Sequence, residues 1–164
     1  MKVTLYQPDI AGNLGSVMRS CACFGVELSV IEPCGFPFST KALRRSAMDY
    51  GVPSTLTRYS SWEQFEANRT APSSSMGKNQ NEHDVGRLVL FTTKGATPLP
   101  DFAFAPNDTL LFGRESAGVP ENVHQAADAR VIIPITKTAR SFNLANSAAI
   151  ALFEALRQTG QLPR

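Results

Sequence analysis

Apolar residues along this chain recur in two patterns. Short runs at residues 3–6, 27–31, 87–93, 109–112 and 130–133 read as strands. A weaker run at 54–57 reads as a short strand too. The runs at 87–93, 109–112 and 130–133 are apolar at consecutive positions, as expected of strands covered on both faces of a parallel sheet. Between the strands the spacing changes. Leu14, Val17, Met18, Cys21 and Ala22 fall at i, i+3, i+4, i+7 and i+8, one apolar stripe of a helix. Asn13 is placed to cap that helix and Gly25 to stop it. Further helices are predicted at 40–48, 60–67, 121–127 and 143–158. Strand and helix alternate throughout, which predicts an α/β fold with a mainly parallel sheet flanked by helices.

Two segments carry no periodicity. Residues 94–108 hold three prolines and are predicted as loop. Residues 68–86 are polar and rich in Ser, Asn and Gly, and are predicted as a mobile loop within a single domain spanning 1–164. The last predicted helix is the opposite case. From Leu144 to Leu156 only Asn146, Ser147 and Glu154 are polar, so it is apolar on most sides. A surface helix needs one apolar stripe. Cover on both sides points to a second copy of the chain, a homodimer.

Composition narrows the function classes. An apolar fraction of 43% suits a globular domain and excludes disorder throughout. No window of about 18 apolar residues occurs, so no membrane span is expected. The N-terminus lacks a signal-peptide core, and the three cysteines (Cys21, Cys23 and Cys34) do not make a disulfide framework. They are expected to be buried free thiols in a cytoplasmic protein. Neither a dinucleotide G-x-G-x-x-G nor a phosphate-binding P-loop is present. With only His83 and His124 as histidines, a Ser-His-Asp hydrolase and a catalytic metal cluster are both unexpected. The net charge of +2 is evenly split, each half holding 8 basic and 7 acidic residues. That excludes a basic tail. Locally it is less neutral. Lys41, Arg44 and Arg45 form one acid-free basic stretch, and Arg130, Lys137 and Arg140 another. Focused clusters of this kind suit contacts to RNA phosphates.

Three polar segments remain, each at the end of a predicted strand: residues 13–19, 112–120 and 133–146. In open α/β sheets, ligands bind at the carboxyl ends of strands. Asn13-Leu-Gly-Ser-Val-Met-Arg19 resembles the first of three motifs of the SPOUT superfamily of RNA methyltransferases. Phe112 and Gly113 with Glu115, Gly118 and Pro120 resemble the second motif. Ile133-Pro134 with Arg140-Ser-Phe-Asn-Leu-Ala-Asn146, then Phe153-Glu154, resemble the third. Leu5-Tyr-Gln-Pro-Asp-Ile10, Ile31-Glu-Pro-Cys-Gly-Phe36, Leu43-Arg-Arg45, Asp49-Tyr50 and Phe91-Thr-Thr-Lys-Gly95 are similar to the tRNA (cytidine/uridine-34) 2′-O-methyltransferases within that superfamily.

The resemblance implies a C-terminal deep trefoil knot, a site for S-adenosylmethionine in that knot, and a homodimer through the knot region and C-terminal helix. It implies methyl transfer to the ribose 2′-hydroxyl of the wobble nucleotide (cytidine or uridine 34) of tRNA, without a metal; the alternatives are the same transfer at another tRNA or rRNA site, or RNA binding without catalysis. Carried over by motif, Phe91, Gly113, Ile133 and Ser141 hold the cofactor, with Glu115, Gly118, Ile135 and Asn143 beside them. Arg19 is the catalytic candidate, as general base or, in the favoured reading, by orienting the hydroxyl or a neighbouring phosphate, with Asn13 holding it in place. Lys41, Arg44, Arg45 and Arg140 are the candidate RNA contacts. The chain departs from the family pattern at Arg114 (commonly Pro or Ser), Ile135 (often Met), Phe142 (Leu or Met) and Phe153 (often Tyr), and in a longer 68–86 segment.

Overall fold

The computed structural model describes residues 1–38, 56–71 and 86–164. The helix expected at 40–48, with Lys41, Arg44 and Arg45, and most of the 68–86 stretch lie outside these described residues. Strands β1 (Lys2–Tyr6), β2 (Glu27–Ile31), β3 (Leu56–Tyr59), β4 (Leu88–Phe91), β5 (Thr97–Pro98), β6 (Thr109–Phe112) and β7 (Ala129–Ile132) form one sheet. Its order is β3-β2-β1-β6-β4-β7-β5, and every neighbouring pair is parallel. Helices α1 (Ala11–Phe24), α2 (Trp62–Thr70), α3 (Glu121–Ala126) and α4 (Leu144–Gln158) cover it.

Side-chain alternation along the strands builds two cores. Val3, Leu5, Val89, Phe91, Leu110 and Phe112 face α1 and α4, which pack on each other. Tyr6, Ile31, Leu88, Leu90 and Leu111 face α2 and α3 through Trp62, Phe65 and Val123. Consecutive apolar residues in β4 and β6 thus serve both layers. Each such fully buried Leu or Phe contributes roughly 1.5–3 kcal/mol over an exposed one.

Several elements differ from the sequence expectation. Helix α1 begins at Ala11 with Ile10 at the N-cap, and no side chain caps it. Asn13 therefore lies inside the first turn, and its amide is used elsewhere. Strand β3, over the described residues Leu56–Tyr59, runs two residues past the expected end at Thr57. Helix α2 starts at Trp62, where the Ser61 hydroxyl accepts from Gln64 N at 3.2 Å, and it continues to Thr70, into the stretch expected to be loop. The proline-rich 94–108 stretch holds β5 and a 3-10 turn, Leu99–Asp101. Two residues are too few for a period, and Pro98 fits because β5 is an edge strand. Of the cysteines only Cys21 is buried, its thiol pushed up to about 12 by burial. Cys23, two residues on, turns to the exposed side of α1.

One polar anchor pins β4 to β6. The Asp108 carboxylate, fully buried, accepts from Arg87 Nε at 3.0 Å and Nη2 at 2.7 Å, and from Ala105 N at 2.8 Å. Arg87→Met strands that carboxylate without its cation. The expected cost is about 3 kcal/mol of unfolding free energy in urea titration. An unchanged midpoint contradicts this.

Candidate active site

The strands converge on one opening. The carboxyl ends of β4, β6 and β7, the segment after β6 and the entry to α4 enclose a cleft of about 690 Å³. Small-molecule sites span roughly 300–1,000 Å³. The chain leaves β1 toward β2 on one side of the sheet, while the chain after β6 goes on to β7 on the other. This is the switch point where α/β proteins bind ligands.

Phe91, Gly113, Glu115, Gly118, Ile133, Ile135, Ser141 and Asn143 all line this cleft, as do Asn13 and Arg140. Arg19 does not. It is exposed on α1, off the cleft wall. Ile10 and Phe142 stand on the rim as exposed apolar side chains, 52% and 42% accessible.

Three segments far apart in sequence are tied together at the cleft by side-chain hydrogen bonds. Asn143 Nδ2 donates to Asn13 Oδ1 at 2.9 Å, and Asn13 Nδ2 donates to Glu115 Oε1 at 2.8 Å. The other Glu115 oxygen accepts from Asp9 N at 2.7 Å. Asn143 Oδ1 caps α4, accepting from Ala145 N at 2.8 Å. Both amides are thus fixed in orientation, and Glu115 braces the loop before α1.

Asp9 and Arg114 complete this arrangement, and neither stood out in the sequence as a contact. The Asp9 carboxylate accepts from Arg114 Nε at 3.1 Å and from its Nη2, and from Ser116 N at 3.0 Å and Oγ at 2.6 Å. The Arg114 hydrogen bond, helped by Ser116, holds this carboxyl well below the usual carboxylate range. A depressed value stabilises the folded state above the unfolded pKa of about 4, and that contribution is lost as pH falls. Thermal melts from pH 5 down to pH 2 (about the acid window of a carboxylate) are expected to fall less steeply for Asp9→Asn than for the unmodified chain. Parallel slopes contradict the assignment.

The cleft fits S-adenosylmethionine on its backbone. The segment after β6 closes on itself, Arg114 N donating to Gly118 O at 3.0 Å and Gly118 N to Arg114 O at 2.8 Å. Gly118 has a φ of +68°, and a Cβ on Gly113 would lie 2.5 Å from the Gly118 carbonyl carbon. Side chains of Phe91 and Phe112 turn into the core, so these strand ends offer backbone to a ligand. Ile133, Ile135 and Leu144 supply apolar wall. Among the described residues, no group of three or more His, Cys, Asp or Glu could hold a metal ion. Nor is any helix of the described residues long and apolar enough to cross a membrane.

The sequence pattern of the SpoU rRNA Methylase family matches residues 1–153. The chain belongs to that family. Among its SpoU relatives, the tRNA (cytidine(34)-2′-O)-methyltransferase of Beijerinckia indica is 48% identical over 163 residues, covering 99% of this chain and 94% of that one. A solved structure described as giving insight into 2-OH methylation of C/U34 on tRNA superposes with a TM-score of 0.82 at 34% identity, covering 96% of this chain and 94% of that chain. The SpoU methyltransferase AviRb of Streptomyces viridochromogenes, solved with AdoMet, superposes with a TM-score of 0.78 at 29% identity, covering 96% of this chain and 57% of AviRb. The family's α/β fold and its use of S-adenosylmethionine are those expected from the three motifs.

Proposed function

We propose that this SpoU-family protein transfers a methyl group from S-adenosylmethionine to the ribose 2′-hydroxyl of nucleotide 34 of tRNA. The observation that carries this reading is the hydrogen-bonded union of Asn13, Glu115 and Asn143 at a glycine-walled cleft, one residue from each motif. The relatives that match over nearly their whole length carry names for this reaction.

The cofactor supplies an electrophilic methyl group bound to a sulfonium. The chain's task is to hold donor and hydroxyl in line, which is worth several orders of magnitude in rate. Backbone groups at Phe91, Gly113, Ile133 and Ser141 hold the donor. With the cofactor bound, the 2′-oxygen would take the methyl group from the sulfonium, leaving the neutral thioether of S-adenosylhomocysteine, and the hydroxyl proton would pass to solvent water. Arg19 acts by orienting the hydroxyl or an adjacent phosphate and by offsetting developing negative charge. Arg140, on the cleft wall, and Lys41, Arg44 and Arg45 contact tRNA phosphates. The knot implied by the family forms around the cleft, and the protein works in the cytoplasm, where tRNA is.

The protein acts as a homodimer. Helix α4 buries Leu144, Ala148, Ala151, Leu152, Ala155 and Leu156 but leaves Ile150 and Phe153 38% and 49% exposed. Phe153 meets Phe24 of α1 at a ring separation of 6.4 Å, so the exposed apolar surface continues onto α1. Purified protein is expected to elute at about twice the chain mass at micromolar concentration. Elution as a monomer contradicts this. For the reaction itself, labelled S-adenosylmethionine offered with total RNA is expected to mark tRNA. Label confined to ribosomal RNA would overturn the substrate assignment.

A further inference from the structure

The contact between Arg114 and Asp9 joins the segment that closes the cleft to the residue just before Ile10, the N-cap of α1. Arg114 and Ser116 grip the Asp9 side chain, while Glu115 between them grips the Asp9 N–H and the Asn13 amide. Three consecutive residues thus clasp the first turn of α1 from both sides.

Two features separate this clasp from general stability. The segment after β6 does not need the Arg114 side chain for its shape, because its own backbone closes it through the paired Arg114 and Gly118 hydrogen bonds. The pair is also partly exposed, with side-chain accessibilities of 35% for Arg114 and 19% for Asp9, and exposed ion pairs contribute little to global stability. Chemistry is less forgiving. A displacement of about 1 Å at the reacting groups costs on the order of 100-fold in rate.

We propose that Arg114 is a positioning residue for methyl transfer: through Asp9 it fixes the start of α1, and with it Asn13 and Arg19, against the cofactor segment. The inference rests on the methyl-transfer reading above. Removing the guanidinium leaves the cofactor cradle closed but loosens the start of the helix that carries the catalytic candidate, which Glu115 and Ser116 then hold alone. The loss therefore falls on turnover rather than on cofactor affinity.

The test is a four-membered set: unmodified chain, Arg114→Ala, Asp9→Ala and the double variant, with Arg114→Lys as the conservative control. Arg114→Ala is expected to lower kcat about 10- to 100-fold, with S-adenosylmethionine affinity within about threefold by calorimetry and a Tm lower by only a few degrees. Arg114→Lys recovers part of the loss, since one of the two hydrogen bonds to Asp9 returns. The double variant is no worse than Asp9→Ala, which already removes the Arg114 contact together with those from Ser116. Backbone exchange reads the same clasp without any activity. Amides of Asn13 and Leu14, which donate to Ile10 O, exchange faster in Arg114→Ala. An unchanged kcat, a loss wholly in cofactor affinity, additive single losses or unchanged exchange at these amides would each overturn the proposal. If the unmodified chain transfers no methyl to tRNA, the functional reading fails, and the exchange experiment still decides whether the clasp holds α1.

Discussion

Arg19→Ala is expected to lower methyl transfer to tRNA by about 100-fold or more while S-adenosylmethionine binding stays within about threefold. The separation follows from where Arg19 sits. Every residue assigned to the cofactor lines the cleft, and Arg19 does not. It projects from the exposed face of α1 that also carries Cys23 one turn later. Equal loss of binding and transfer in Arg19→Ala would remove it from the chemistry.

Gly113→Ala is the second large effect, and it is of the opposite kind. A methyl group there would lie 2.5 Å from the carbonyl carbon and 2.7 Å from the Cα of Gly118. Both are backbone atoms of a segment closed by paired hydrogen bonds, so neither can turn aside as a side chain would. The segment must open, and with it the wall proposed to hold the cofactor. Affinity for S-adenosylmethionine is expected to fall by about 100-fold or more, equivalent to roughly 3 kcal/mol. Since β6 ends at Phe112, the sheet itself is spared. Calorimetric titration reads the loss directly, and wild-type affinity in this variant would show that the cofactor lies elsewhere.

How far the sequence could be read depended on whether the signal was local. Strands β4 and β6 were legible because a parallel strand between two helical layers is apolar at every position. The end of α1 was legible because Gly25 adopts a left-handed φ of 67°, which glycine accepts at no steric cost. The start of α1 was not. Asn13 has the chemistry of a cap, but Glu115 takes its amide, and 102 residues separate the two. The Asp9–Arg114 pair is hidden for the same reason, being closed only by the fold. The cofactor residues were assigned by resemblance to three motifs, each at a strand end, and all of them line the same cleft. The basic stretch at Lys41, Arg44 and Arg45 lies outside the described residues. Arg140 alone of the expected RNA contacts is placed, on the cleft wall.

The most direct test is to locate the transferred methyl group on a single atom. Purified protein is incubated with methyl-labelled S-adenosylmethionine and unmodified tRNA, and the product is digested and sequenced by mass. The label is expected on the 2′-oxygen of nucleotide 34, making the linkage between nucleotides 34 and 35 resistant to alkali. Label on a base atom, at another nucleotide, or absent from tRNA would contradict it.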